Sequence, residues 1–136
     1  MKQLFSYIVL LLLCVFSSCS NDDNIWKYGE KQELAGTEWN NISMFIAGLP
    51  GQSFPMPTET LSLEDKTFLI TFTRWSYGAE GQKVKGDETI KHGKYEYKHP
   101  KLKLVFEDSS EIEAWISASN NICFYEEKVF KEFVRQ

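Results

Sequence analysis

The chain has 136 residues, 43% of them hydrophobic and 15% aromatic, with a formal net charge of −4 at pH 7. The negative balance argues against nucleic acid, where phosphate contacts supply most of the affinity, and against a polybasic attachment to anionic lipid. The length suits one domain with a single core rather than two.

The first segment, residues 1–18, opens with Lys2 and runs apolar from Leu4 to Phe16. A spanning helix needs about 20 apolar residues, so this shorter run predicts the centre of a secretory signal that is removed. The junction Phe16-Ser17-Ser18-Cys19 resembles the lipobox of bacterial lipoproteins. That resemblance implies lipidation of Cys19, attachment to the outer membrane through it, and a mature chain that begins there. The mature chain would hold 118 residues, with 14 Lys and Arg against 19 Asp and Glu, a net charge of −5. Acyl chains contribute roughly 0.8 kcal/mol per buried methylene, so two or more hold a protein to a bilayer whatever its charge.

Cysteine usage is consistent with this. Cys14 leaves with the signal and Cys19 is alkylated, which leaves Cys123 alone in the apolar run Ile122-Cys123-Phe124-Tyr125. A buried, inert thiol is the expectation there. With no disulfide, an exported domain rests on its apolar core.

Residues 19–33 are expected to comprise the lipidated cysteine and a tether, polar from Ser20 to Asn24 and without apolar surface to bury. Ile25, Trp26 and Tyr28 then break the polarity, and Lys27 to Ala35 is compatible with a short helix or turn. From Gly36 the punctuation becomes that of an all-β domain, residues 34–136. Strands are predicted over 36–45, 58–64, 67–77, 87–98, 101–107, 111–117, 121–126 and 128–134. Two longer loops, 47–57 with three prolines and 78–86 with three glycines, interrupt them. Apolar residues alternate at period two: Tyr95 and Tyr97, then Leu102, Leu104 and Phe106, then Ile112, Ala114 and Ile116, then Ile122 and Phe124. Keeping these sets on one face puts Tyr97 opposite Leu102 and Phe106 opposite Ile112, because a one-residue slip turns a whole set outward. Eight antiparallel strands in sequence order predict closure into an up-and-down barrel.

The succession Leu34-Ala35-Gly36-Thr37-Glu38-Trp39, Gly93-Lys94-Tyr95-Glu96-Tyr97, Lys101-Leu102-Lys103-Leu104 and Val129-Phe130-Lys131 resembles the bacterial lipocalin-like (calycin) lipoproteins over roughly residues 34–134. One departure is the opening motif, Gly-Thr-x-Trp where lipocalins usually carry Gly-x-Trp. The resemblance implies the barrel, and by analogy a small ligand.

Residues with the chemistry of catalysis are sparse, and a non-enzymatic protein without cofactor is expected. His92 and His99 are seven apart and fall on opposite faces of a regular strand, which disfavours a shared metal. Glu111 and Glu113 lie on the charged outer face, and Glu107 to Glu111 reads as a tight turn. Binding is carried by two other features. The interior candidates are Phe68, Phe72, Tyr95, Tyr97, Phe106 and Phe124; an eight-stranded barrel either fills with such side chains or holds one small apolar or amphipathic ligand. The outward candidates for a protein partner in the envelope are Trp75, Tyr77 and Trp115, with Lys98 and Lys101 opposite each other at the His99-Pro100 turn.

Overall fold

The computed structural model describes residues 28–43 and 55–136. The predicted signal, Cys19, the expected tether to Lys27, the predicted end of the first strand at 44–45 and most of the 47–57 loop lie outside the described residues. Eight strands follow one another: β1 Thr37–Asn41, β2 Thr58–Leu63, β3 Thr67–Tyr77, β4 Lys83–Lys98, β5 Lys101–Phe106, β6 Glu111–Ile116, β7 Ile122–Glu126 and β8 Val129–Arg135. Each pairs antiparallel with the next, and β8 returns to β1 to close the barrel. The all-β, eight-stranded, up-and-down architecture is thus the one the alternation predicts. Its lower end, the floor, carries the β2–β3, β4–β5 and β6–β7 turns. Its upper end, the mouth, carries the β3–β4, β5–β6 and β7–β8 turns.

The Gly-Thr-x-Trp opening has a physical reason in the first turn. Gly36 sits at φ 74°, a left-handed backbone open to glycine, and its N–H donates to the Leu63 carbonyl at 2.7 Å. Thr37 and Trp39, two residues apart, both point inward. The Thr37 hydroxyl donates to the Leu34 carbonyl at 2.6 Å and accepts the Trp39 indole N–H at 2.7 Å. Both partners are satisfied, so a fully buried Trp39 carries no orphaned polar atom.

Around it the barrel is filled. Phe124, Phe133, Leu61, Leu63, Leu102, Leu104, Ile116 and Ile122 have no more than trace exposure, each side chain contributing roughly 1.5–3 kcal/mol by leaving water. Phe124 and Phe133 stack at 5.3 Å, and Phe68 meets Phe106 edge-on at 5.0 Å. These last two rings flank Gly93, where an added Cβ would run into the Val105 carbonyl oxygen and come within 2.9 Å of the Phe68 ring. Glycine at that position is therefore a packing requirement.

The structure departs from expectation at four places. Residues 28–34 are not helical, and the turn lies at Ala35–Gly36. Tyr28 instead forms an antiparallel bridge to Ser117, the Gly29 N–H donates to the Ile116 carbonyl at 3.1 Å, and Leu34 is buried. The Gln32 N–H, which a helix from Lys27 would have used, goes instead to the Tyr97 phenol at 3.3 Å, and the segment closes the floor. The first strand stops at Asn41, short of Ile42 and Ser43, because the Asn41 side-chain oxygen takes the Ser43 N–H and hydroxyl and turns the chain. β4 begins at Lys83, so the 78–86 loop shrinks to five residues. A bulge sets Gly86 and Asp87 against Arg74 alone, shifting the alternation that would have marked the strand. Finally, Leu104 rather than Phe106 stands opposite Ile112, whereas Tyr97 does face Leu102. Asp108 accepts both the N–H and hydroxyl of Ser110, and Ser109 adopts φ 68°. The turn therefore closes over three residues, with Phe106 N–H bonded to the Ser110 carbonyl. That two-residue shift preserves the face.

Candidate ligand-binding mouth

Inward positions toward the mouth change character. Glu59 follows the parity of Leu61 and Leu63 on β2, Lys91 that of Gly93 on β4, Glu126 that of Phe124 on β7, and Lys131 that of Phe133 on β8. Four strands thus turn a charge into a barrel whose lower half is apolar.

The charges form one alternating chain. Lys131 Nζ lies 2.6 Å from Glu59 Oε1 and 2.5 Å from Glu126 Oε2, and Glu126 Oε1 accepts from Lys91 Nζ at 2.6 Å. Asn41 Nδ2 donates to the second Glu59 oxygen at 2.5 Å. Glu59 is the deepest, with a side chain 6% exposed, and Lys91 the most open at 49%. For Glu126, burial pushes the carboxyl up, but hydrogen bonds from Lys131 and Lys91 and their charges outweigh it and leave it below the usual range. For Lys131, burial disfavours the ammonium, while Glu126 and Glu59 more than compensate and raise it. The network is neutral in sum, and no described buried side-chain polar atom lacks a partner.

Two spaces adjoin the chain. A small pocket of about 180 Å³ lies among Glu59, Ile70, Phe72, Thr89, Lys91 and Lys131. A wider cleft of about 590 Å³ includes Lys91, Phe106, Ile112, Tyr125 and Glu126 in its walls. The cleft exists because the wall is incomplete there. β5 ends at Phe106 opposite Gly93, so Lys83–His92 of β4 pair with β3 alone, and the β6–β7 ladder begins only at Ala114–Phe124. Its volume lies within the range of small-molecule sites, roughly 300–1,000 Å³.

The six interior candidates separate into three locations. Phe68 and Phe124 are core. Tyr95 and Tyr97 pack toward the floor with their phenols engaged: Tyr95 donates to the Glu64 carbonyl at 2.6 Å, and Tyr97 lies 2.9 Å from His99 Nδ1. Burial, followed by the charges of Asp65, Glu33 and Glu64, pushes the Tyr95 phenol up. Phe72 and Phe106 alone reach the mouth. The outward candidates also divide. Trp75 donates from its indole to Thr58 Oγ1 at 2.9 Å, and Lys83 lies over its ring at 4.6 Å; with Tyr77 it belongs to the β3–β4 ribbon that outruns the barrel. Trp115 stands with Tyr125 and Phe130 on the outer face of β6–β8. Two strands, β4 and β5, separate these tryptophans, so they do not form one patch. Lys98 and Lys101 are cross-strand partners, as the sequence suggests, and Lys101 is also opposite Trp115.

The remaining polar residues have structural partners. Glu111 lies 3.1 Å from Lys103, and His92 Nδ1 lies 3.2 Å from Glu107. Cys123 is a free, buried cysteine, its thiol raised by burial. No three His, Cys, Asp or Glu side chains converge as metal ligands among the described residues.

The period-two pattern of apolar residues alone puts no charge inside, and so misses Glu59, Lys91, Glu126 and Lys131. Continuing the period-two count from Leu61, Gly93, Phe124 and Phe133 places each of them inward. Set against models of known protein families, the chain matches none, and comparison with curated proteins and with solved structures gave no significant match.

Proposed function

We propose that this protein is an outer-membrane lipoprotein, anchored through lipidated Cys19, whose barrel binds a small apolar or amphipathic molecule at its mouth without catalysing a reaction. The observation that carries the reading is the alternating Glu59–Lys131–Glu126–Lys91 chain held above a filled apolar core. A ligand's apolar part finds Phe106 and Ile112 in the cleft, and its polar end exchanges with one link of the chain. Lys91 is the natural link to break, being half exposed and held by a single carboxylate. A large apolar molecule has no room inside the barrel, because Trp39, Phe124 and Phe133 occupy that volume.

The test is to purify the protein from native membranes, denature it, and analyse by mass spectrometry what is released. A stoichiometric small molecule is expected from the wild type, and less of it from Lys91→Met. A folded protein that releases nothing overturns ligand binding.

The filled core also favours a second reading, a solid accessory subunit of an envelope assembly. In that reading the projecting ribbon with Trp75 and Tyr77 makes the contact. An empty but folded barrel that co-purifies with a partner, and loses it on Tyr77→Ser, is its signature.

A further inference from the structure

The outer face of β6–β8 carries three aromatic side chains in mutual contact. Ring centroids of Trp115 lie 6.1 Å from Tyr125 and 6.3 Å from Phe130, and those of Tyr125 and Phe130 are 5.4 Å apart. Tyr125 and Phe130 are 59% and 40% exposed. Beside Trp115 stands Lys101 and, beyond it, Lys98. Neither lysine joins an ion pair among the described residues.

The tether reaches the barrel close to this face. Tyr28 bridges Ser117, two residues beyond Trp115 on the same strand end. Nine residue steps separate Cys19 from Tyr28, and at roughly 3.3–3.6 Å per step their full reach is about 30 Å. A lipid on Cys19 therefore keeps the junction, and the face beside it, within one small-domain diameter of the bilayer. Tethering makes any contact with the surface intramolecular, so a modest surface affinity is sufficient.

We propose that the Trp115–Tyr125–Phe130 face, flanked by Lys98 and Lys101, rests on the lipid surface to which Cys19 is anchored. The proposal depends on the lipoprotein reading. Tryptophan and tyrosine suit the headgroup level because each has an apolar body and a polar tip. The two lysines lay their methylenes along the same boundary and direct ammonium groups to lipid phosphates, which zwitterionic lipids also carry. Overall negative charge does not oppose this, since the acyl anchor supplies the attachment; Lys98 and Lys101 lie at the end of the face where Tyr28 joins, and the outward Glu113, two residues before Trp115, stands opposite Lys103. The barrel consequently lies on its side, with the mouth opening along the membrane plane.

Quenching of tryptophan emission by brominated phosphatidylcholine tests the proposal. The mature lipidated chain, carrying Trp26→Phe to silence the tether, is reconstituted into such vesicles and first floated on a density gradient. Emission from the floated protein is expected to be quenched. Trp115→Phe should abolish that quenching and Trp75→Phe should preserve it. Tyr125→Ser with Phe130→Ser, both at exposed positions, should weaken it while the protein still floats and buried Trp39 still reports a native environment. A floated protein whose quenching is the same in Trp115→Phe and Trp75→Phe overturns the docking face and leaves the anchor intact. A protein that does not float overturns both.

Discussion

Replacing Lys131 by Met gives the sharpest test of the mouth. The change keeps an unbranched chain of similar length and removes one charge. In the wild type Lys131 sits between Glu59 and Glu126, whose side chains are 6% and 15% exposed. After the change Glu126 retains Lys91 at 2.6 Å, but Glu59 keeps only the Asn41 amide. Breaking a buried pair from one side leaves an uncompensated charge and costs about 3–5 kcal/mol. The expected loss at pH 7 is of that size, measured by denaturant unfolding of the protein followed through tryptophan emission.

The pH dependence identifies the cause, because Lys131 is one of the two cations that hold the Glu126 carboxyl low. Glu126, held low by Lys131 and Lys91 against the opposing effect of burial, contributes stability present above its unfolded pKa and lost as pH falls through its folded one. The gap between variant and wild type should accordingly narrow on acidification. Adding Glu59→Gln should recover a large part of the loss at pH 7. A cost well under 1 kcal/mol, equal at pH 5 and pH 8, would refute the claim that Glu59 is a buried charge held by Lys131.

Two further expectations follow from local geometry. Thr37→Val removes the acceptor of the Trp39 indole and should cost about 1–3 kcal/mol, the usual penalty for a buried donor left unpaired, whereas Trp39→Ala should cost about 3–5 kcal/mol; both are read from denaturant midpoints. At the β7–β8 turn, Glu127 and Lys128 hold φ 48° and 68°, a backbone that favours Asn-Gly. Glu127→Asn with Lys128→Gly should therefore add about 1 kcal/mol and raise the thermal midpoint by several degrees.

What the sequence made legible followed from how plainly the alternation is written. Within each strand from Tyr95 to Ile116 the alternation is unbroken, and strands, faces and the Tyr97–Leu102 register were readable there. Legibility failed where one residue breaks the count or one side chain redirects the backbone. Gly86 and Asp87 share the space opposite Arg74, which hid the first residues of β4 behind an apparent loop. Asp108 captures Ser110, which moved Ile112 by two places without changing its face. The site was less legible than the fold for a separate reason. A charged residue at an alternating position is ordinarily an outward one, and Glu59, Lys91, Glu126 and Lys131 look locally like Lys94, Lys103 or Glu113. Only the closed barrel reveals that their parity is that of the core, and that residues 72 positions apart in sequence meet as an ion pair.

The two ends of the barrel solve the same closure problem with different materials. At the floor the chain itself provides the plug: Leu34 is buried, Gln32 N–H reaches the Tyr97 phenol at 3.3 Å, and Trp39 fills the axis above. At the mouth the same task falls to four charges whose mutual attraction must offset the desolvation of each. Apolar side chains of similar volume commonly replace a buried ion pair with no loss of stability, and sometimes with a gain. Stability alone therefore gives no reason to place Glu59 and Lys131 above Phe124 and Ile70 rather than two more leucines. A charge chain differs from a leucine plug in one respect that bears on the proposed ligand binding. Its links can be exchanged one at a time for a ligand's polar group while every remaining charge keeps a partner, so the mouth can open without unpacking the core beneath it. The exposed Lys91–Glu126 link, beside the gap that the short β5 and partly unpaired β6 leave in the wall, is where such an exchange would begin.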